Sequence, residues 1–384
     1  MSITERLMGV GSWSLNLSED TPRAIMDQLD VRRAGFGHIV VTPTPVAVDL
    51  VPEAGILGMA RYVGVYRKQP TEFGLSGAGL ALWVADEDGK GPTYTGGLST
   101  ASGTFAQWVA ALKPSSLASG ITSAIGGAFA KTYPRTALRK PLDEVCAYFG
   151  AEWRVANDLK FDIGTPGALF NLVPNSVIVR REGEGGRDFN IHGIVGDLDI
   201  ERDVEDWSRR VVYFTGTDQA PITAIADGGV AANDVIYRGP DGSAISMDRM
   251  IEDFSTTPTA SGTSLAAAQY GRFKNPRQEL TLSTGQYDIG QNVRVGDNVY
   301  VYDPSRGIQD LTVQVEYRGR TIYPETIRCM GLSWPVRRGM GVYFRYWKKL
   351  GSTWVVNWLD LTNYVEWESG ETSVEVGAKP RSTN

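Results

Sequence analysis

The sequence predicts a mainly β chain with α+β insertions. Three observations carry that reading. Glycine is abundant, 44 of 384 residues, beside 10% aromatic residues, a combination suited to short strands joined by tight turns. Strand-like runs fill two blocks, before residue 100 and after residue 175. Helical spacing of apolar residues concentrates between them. At 384 residues the chain is long enough for two to four domains at roughly 100–200 residues each.

The elements follow in order. Residues 18–29 predict a helix: Thr21 as cap, Pro22 at the first helical position, and Ile25 with Leu29 as an i,i+4 apolar pair. Phe36–Thr42 is a β-branched run stopped by Pro43 and Pro45. Residues 60–84 predict two or three strands, with Tyr62, Val63, Val65 and Tyr66 in the first; Gly77 and Gly79 mark a bulge or a close backbone contact in the next. Asp86–Gly91 reads as a surface turn. Helices are predicted over 104–113, where Phe105, Trp108, Val109 and Leu112 align, and over 115–130, where Leu117, Ile121 and Ile125 do. A third spans Pro141–Phe149 with Gly150 as its C-terminal cap. Glu152–Val155 and Lys160–Ile163 predict a hairpin around Asn157-Asp158.

Beyond 175, Ser176–Arg181 and Asp188–Ile200 flank a Gly-rich turn at Glu182–Gly186, and Leu198, Ile200 and Val204 alternate as on a strand with one wet face. A helix is predicted over Thr263–Phe273. Strands follow at Glu279–Leu282, Asn298–Tyr302, Leu311–Tyr317, Thr326–Leu332, Val342–Trp347 and Trp354–Trp367. Glu368–Asn384 is polar and reads as a loose tail, or as an extension that a neighbour orders.

Composition excludes several functions. The net charge is −6 and no Lys/Arg run exceeds two residues, so a grip on a phosphate backbone is not expected. The start Met1-Ser2-Ile3-Thr4-Glu5-Arg6 lacks a signal-peptide pattern, and no apolar run approaches the roughly 18 residues of a membrane span. Cys146 and Cys329 lie in separate apolar runs and read as buried thiols made in a reducing compartment.

Catalytic chemistry finds little support. His38 and His192 both sit in strand-like runs without a local nucleophile signature. There is no Cys-x-x-Cys or His-Glu-x-x-His pattern for zinc. Gly77-x-Gly79 has Leu82 where a dinucleotide loop needs glycine, and Gly89-Lys90 lacks the rest of a phosphate loop. The acidic clusters Asp86/Asp88 and Asp197/Asp199/Glu201 miss the calcium-loop pattern, with Val84 and Arg202 at required positions. Carboxylate pairs for glycoside hydrolysis are a matter of spatial rather than sequence distance. The expectation is a chain that is not an enzyme and takes no cofactor or metal.

Five segments together resemble the minor tail, or tail hub, proteins of long-tailed bacteriophages of actinobacteria. They are Gly11–Leu15 with Asp20–Arg23 and His38–Pro43; Tyr66–Trp83 with Asp86–Gly91; Pro141–Cys146 with Phe149–Val155; Val295–Pro304; and Trp334–Val336 with Gly339-Met340. The matches run in order through most of the chain. The resemblance implies a homotrimeric baseplate hub at the virion tail tip, made in the host cytoplasm. Two related β-barrel-like domains per chain would form a pseudo-six-fold collar from three copies, with smaller α/β domains projecting. Implied partners are the distal tail protein, the tape measure protein and tail fibre or tip proteins, with genomic DNA passing through the lumen without specific binding and no membrane insertion. On this reading residues 1–100 form the first β-barrel-like domain and 101–174 an α+β domain. The second barrel comprises 175–250 and 293–367, with a small helix-strand insertion at 251–292 and a polar tail at 368–384. Two similar domains in each of three chains would offer six similar surfaces in a closed ring.

Of ten tryptophans, five fall after residue 333: Trp334, Trp347, Trp354, Trp358 and Trp367. Trp347, Trp354 and Trp358 flank Gly351 in a predicted hairpin and are the candidate partner interface, since tryptophan dominates binding hot spots; the ordinary reading is core packing. Two other function classes stand beside the structural one: a tail-associated peptidoglycan hydrolase and a carbohydrate-binding tail protein.

Overall fold

The computed structural model describes residues 1–30, 37–84, 92–94, 103–131, 133, 136–174, 176–179, 195–203, 208, 210–217, 220–226, 239–243, 248–252, 262–263, 265–267, 269–270, 277–284, 292–317, 319–367 and 372–377. In chain order the elements are β1 (Ser2–Arg6), β2 (Ser12–Asn16), α1 (Arg23–Leu29), β3 (His38–Thr42), α2 (Glu53–Met59), β4 (Tyr62–Lys68) and β5 (Gly74–Gly79). The middle block holds β6 (Thr93–Tyr94), β7 (Gly103–Thr104), α3 (Phe105–Leu112), β8 (Ala118–Thr122), β9 (Ala128–Phe129), β10 (Thr136–Ala137), α4 (Arg139–Phe149), β11 (Glu152–Val155), β12 (Lys160–Gly164) and α5 (Pro166–Leu169). Then come β13 (Val177–Val179), β14 (Val195–Asp203), β15 (Arg210–Thr217), β16 (Ala220–Ala226), β17 (Asp248–Glu252), β18 (Arg277–Thr284) and β19 (Asn298–Tyr302). The last are β20 (Val315–Tyr317), β21 (Arg320–Ile322), β22 (Glu325–Pro335), β23 (Gly341–Leu350), β24 (Thr353–Asp360) and β25 (Thr372–Gly377).

The mainly β class is what the chain adopts. One 13-stranded sheet runs β14-β18-β25-β22-β1-β2-β5-β4-β3-β23-β24, with β13 and β19 attached through β22. The two β blocks share this sheet: β1 pairs with β22 and β3 with β23. Its path is open, and among the described residues no barrel closes. β15, flanked by β16 and β17, forms a separate three-stranded sheet.

The all-apolar runs in β3, β4 and β23 have a direct cause: both faces are covered. On one face Ile39, Val41, Val342 and Phe344 join the main core with Trp13, Leu75, Leu332 and Trp334. On the other, Val40, Val63, Val65 and Tyr343 pack under Ile56 and Leu57 of α2. Each such Val, Leu or Ile contributes about 1.5–3 kcal/mol. Gly77 is required here: a Cβ would stand 1.9 Å from the Val65 carbonyl and 2.6 Å from Trp13 Nε1. Beside it the β4–β5 register shifts between Tyr66 and Lys68, so this glycine marks both a bulge and a close approach.

The α+β block has its own core. Phe105, Trp108 and Leu112 of α3 meet Leu142, Val145, Cys146 and Phe149 of α4, over Trp153, Phe161 and Ile163 of the β11–β12 hairpin. α3 starts with a capping box, in which Thr104 accepts from the Gln107 amide and Gln107 from that of Thr104. α4 ends where Gly150 takes φ +62°.

Several expectations need correction. Thr21 does not cap α1; its hydroxyl donates to the Ser18 carbonyl at 2.6 Å, and Pro22 is the N-cap residue. Residues 115–130 are not a helix but contain β8 and β9, with β8 running parallel to β12. The Asp162 carboxylate takes the Ile121 amide at 2.8 Å, and Ser/Gly-rich backbone gives a helix little to oppose such a bond. The predicted strands 311–317 and 354–367 are shortened by side-chain turns, in which Asp310 accepts from the Thr312 amide and Asp360 from the Thr362 amide. The tail is not uniformly loose: β25 inserts between β18 and β22, with Val374 and Val376 fully buried and Glu375 exposed between them. The residues described between 262 and 270 are helical. The expected features at Asp86–Gly91, Glu182–Gly186, 188–194, Val204 and 271–273 lie outside the described residues.

Candidate docking arm and its base

β23 and β24 form the predicted hairpin, paired from Tyr343↔Asp360 to Leu350↔Thr353. Gly351 opens its two-residue turn at φ +61°, a conformation that favours glycine at that place. The register sets Arg345 opposite Trp358, Trp347 opposite Val356 and Lys349 opposite Trp354. Directly opposed and alternate residues share a face, so all three candidate tryptophans lie on one side, interleaved with two cations. The Arg345 guanidinium sits 5.3 Å from the Trp347 ring centre and the Lys349 ammonium 6.0 Å from that of Trp354.

The structure separates the three by exposure. Trp358 is half-buried against the α2-covered core, whereas Trp347 is 46% and Trp354 58% exposed, with Leu350 at 55% beside the turn. The cause is geometric: β3 pairs with β23 only as far as Arg345, so residues beyond it project as a two-stranded arm. The base is fixed by polar contacts. Arg345 binds Glu53 of α2 at 2.6 and 2.9 Å. The Tyr346 hydroxyl donates to Gln28 of α1 and accepts from Asn357, each at 2.6 Å.

His38 belongs to this base. It lies 3.3 Å from the Arg345 guanidinium through Nδ1 and edge-on to Trp83 at 5.2 Å. Burial first, then the Arg345 charge, lowers its pKa from 6.5 to about 3. The ring is therefore neutral across ordinary pH and locked in a structural contact. His192 lies outside the described residues. Cys146 and Cys329 are buried free thiols, and burial pushes both well above the usual thiol range, opposite to what a nucleophile needs. No group of three or more His, Cys, Asp or Glu among the described residues could hold a metal. Nor is any helix among them long and apolar enough to cross a membrane.

Two ionic groups, one around a fully buried arginine and one partly exposed, carry no local sequence signal. Arg61, with a fully buried side chain, binds Glu5 at 2.8 Å and the Val293 carbonyl at 3.0 Å, and lies 4.5 Å from the Trp334 ring centre. Trp334 Nε1 donates to the same Glu5 oxygen at 2.8 Å. At the junction of the sheet with the α+β block, Arg328 of β22 grips Glu152 of β11 through two bonds of 2.5 and 2.6 Å, and Arg154 binds Asp162 at 2.9 Å. A cleft of about 720 Å³ opens here, lined by Glu5, Arg154, Asp162 and Arg294 among others. Three of these four meet opposite charge in the pairs just named, and Arg294 donates to the Arg61 carbonyl. The arrangement joins two blocks rather than presenting reactive groups.

No family model matches the sequence, and no curated protein matches it. Solved structures do. A tail protein from Neisseria meningitidis MC58 superposes with a TM-score of 0.52 at 11% identity, covering 98% of this chain and 91% of that one. The 43 kDa tail protein of prophage MuSo2 from Shewanella oneidensis aligns at 0.48 and 10% identity, covering 99% and 93%. Prophage tail protein gp18 from Listeria monocytogenes EGD-e aligns at 0.48 and 8% identity, covering 99% and 88%. The structural neighbours of this chain are thus phage tail proteins, and over 98% of its length it shares the fold of the Neisseria tail protein.

Proposed function

We propose that the chain is a structural hub at the tip of a long phage tail and not an enzyme. Three copies form a ring that closes the tail tube. They join the distal tail protein and tape measure protein above to fibre or tip proteins below, and DNA passes the lumen without specific binding. The observation that carries the reading is the full-length fold likeness to a tail protein, 98% of this chain against 91% of that one. Site chemistry supports it: the described histidine is neutral and packed, both thiols are buried, and the Arg61, Arg154 and Arg328 side chains are matched by carboxylates. The division into 1–100, 101–174, 175–250 with 293–367, and 251–292 stands as a proposal for the modules of that ring.

Imaging of intact tail tips at side-chain resolution tests it. The expected result is three copies around a central pore, between tube and fibres; another copy number or position overturns it. Incubation of the purified chain with host cell walls tests the enzymatic rival, and release of soluble wall fragments would defeat the structural reading.

A further inference from the structure

The cleft between the sheet and the α+β block is short of negative charge. Its walls come from the end of β1, the C-terminal end of α2, β8, β11 and Arg294. Three carboxylates line it, and each is already engaged: Glu5 with Arg61 at 2.8 Å, Asp158 with Lys160 at 2.6 Å and Asp162 with Arg154 at 2.9 Å. Two more cations line it, exposed Arg6 and half-buried Arg294. Among the described residues no carboxylate lies within ion-pair distance of either.

Arg294 is the better placed of the two. Its Nη1 donates to the Arg61 carbonyl. Neighbouring Asp297 spends its oxygens on the Asn171 and Arg294 backbone amides, at 2.8 and 3.1 Å. Nε and Nη2 of Arg294 are left without a partner, and neither is sealed from solvent. They form the side edge of the guanidinium, whose two parallel N–H groups match the two oxygens of a carboxylate. Burial first, then the Arg61 charge, brings the Arg294 pKa from 12.5 to about 10, and Arg154 pushes the same way. The group stays cationic at neutral pH beside two other arginines. In the same wall the Tyr62 hydroxyl is buried and makes no hydrogen bond, so a second polar group is left unsatisfied.

We propose that this cleft is a carboxylate-binding site, in which Arg294 holds the anion through Nε and Nη2 and Arg6 supplies a second positive charge. The volume of about 720 Å³ falls in the range of ligand sites, roughly 300–1,000 Å³. It exceeds what a carboxylate alone fills, and Leu57, Leu80 and Val155 in the walls suit an aliphatic stem behind the charge. A free dicarboxylate and a glutamate side chain on a partner chain share that chemistry. Binding of this kind requires no particular copy number and no place in a tail, so it goes beyond the hub reading.

Labelling of the wild-type chain by phenylglyoxal, read residue by residue by mass spectrometry, tests it. The probes are glutarate and the capped peptide Ala-Glu-Ala; sodium chloride at equal ionic strength, glutaramide and capped Ala-Gln-Ala are the controls. At about 10 mM, enough to fill a millimolar site, glutarate is expected to slow labelling of Arg294 about tenfold. Labelling of exposed Arg67, which lies outside the cleft, should not change. Equal protection by both probes assigns the site to a free carboxylate; protection by the peptide at lower concentration assigns it to an acidic side chain of a partner. No protection of Arg294 by either probe, or equal protection by chloride or the glutamine peptide, overturns the proposal. Arg294→Lys keeps the charge but loses the two-pronged edge, so about tenfold more glutarate should be needed for the same shift in melting temperature; an unchanged requirement also overturns it. If that variant does not fold, the wild-type labelling decides.

Discussion

Replacing Glu5 by leucine probes the hidden joint between β1 and β22. The substitution removes the carboxylate facing Arg61, whose side chain is fully buried, and leaves the Trp334 N–H without the acceptor it uses at 2.8 Å. An uncompensated buried cation costs about 3–5 kcal/mol, and an unpaired buried donor about 1–3 more. The two share one oxygen, so about 4–6 kcal/mol is expected for Glu5→Leu. Arg61→Met alone should cost less, about 1–3 kcal/mol, because Glu5 keeps 19% exposure and can hydrate, while the contacts to Val293 and the Trp334 ring are neutral-partner contacts of ordinary size. The double variant Glu5→Leu/Arg61→Met buries no charge. It should therefore be more stable than Glu5→Leu by itself, a coupling of at least about 2 kcal/mol. Urea denaturation gives the global cost, and hydrogen exchange of the β1 and β22 amides gives the local one. Additive costs, or a Glu5→Leu change below about 1 kcal/mol, would refute the assignment of Glu5 as the compensating charge.

Other outcomes follow from single contacts. His38 titrates near 6.5 unfolded and about 3 folded. The unfolded chain therefore binds the extra proton between those values, and stability falls as pH drops from 6.5 toward 3 by up to about 1.4 kcal/mol per unit; His38→Asn should remove that component of the urea-midpoint profile. Gly77→Ala forces a methyl against the Val65 carbonyl and the Trp13 ring and should lower stability by about 1–3 kcal/mol or more in thermal melts. Thr104→Ala removes the capping hydroxyl of α3 and should cost about 1 kcal/mol, seen as faster exchange in the first turn of that helix. Trp354→Ala should change the urea midpoint of the isolated chain by less than about 0.5 kcal/mol, since the side chain is 58% exposed.

What was legible in the sequence was local. The apolar spacing of α3, the glycine that stops α4 and the β11–β12 hairpin are written within a few positions, and each formed as predicted. The hairpin carrying Trp347, Trp354 and Trp358 was equally readable from Gly351. Their differing exposure was not, because it depends on where β3, some 300 residues earlier, stops pairing. Leu117, Ile121 and Ile125 had helical spacing, yet Ile121 is 44% exposed. The segment is instead held by Asp162 on β12, which no local pattern announces. Arg61 sits in an unremarkable Ala-Arg-Tyr run, and its partners lie 56 residues before it and 232 after it. β25 was missed because six residues with two alternating valines are too short a signal against polar flanks.

The placement of β25 has a consequence for how this chain is made. β22 lies between β1 and β25, so one of the earliest strands and one of the latest border the same neighbour. Until residue 335 has been synthesised, β1 has one flank bare, and until residue 377 follows, β22 does too. Pairing at such sequence separation makes for slow, late closure, and bare strand edges invite the wrong partner meanwhile. Joining Met1 to Gly377 by a flexible linker and opening the chain at the exposed turn around Gly351 would put both flanks of β22 within one continuous stretch and should speed refolding.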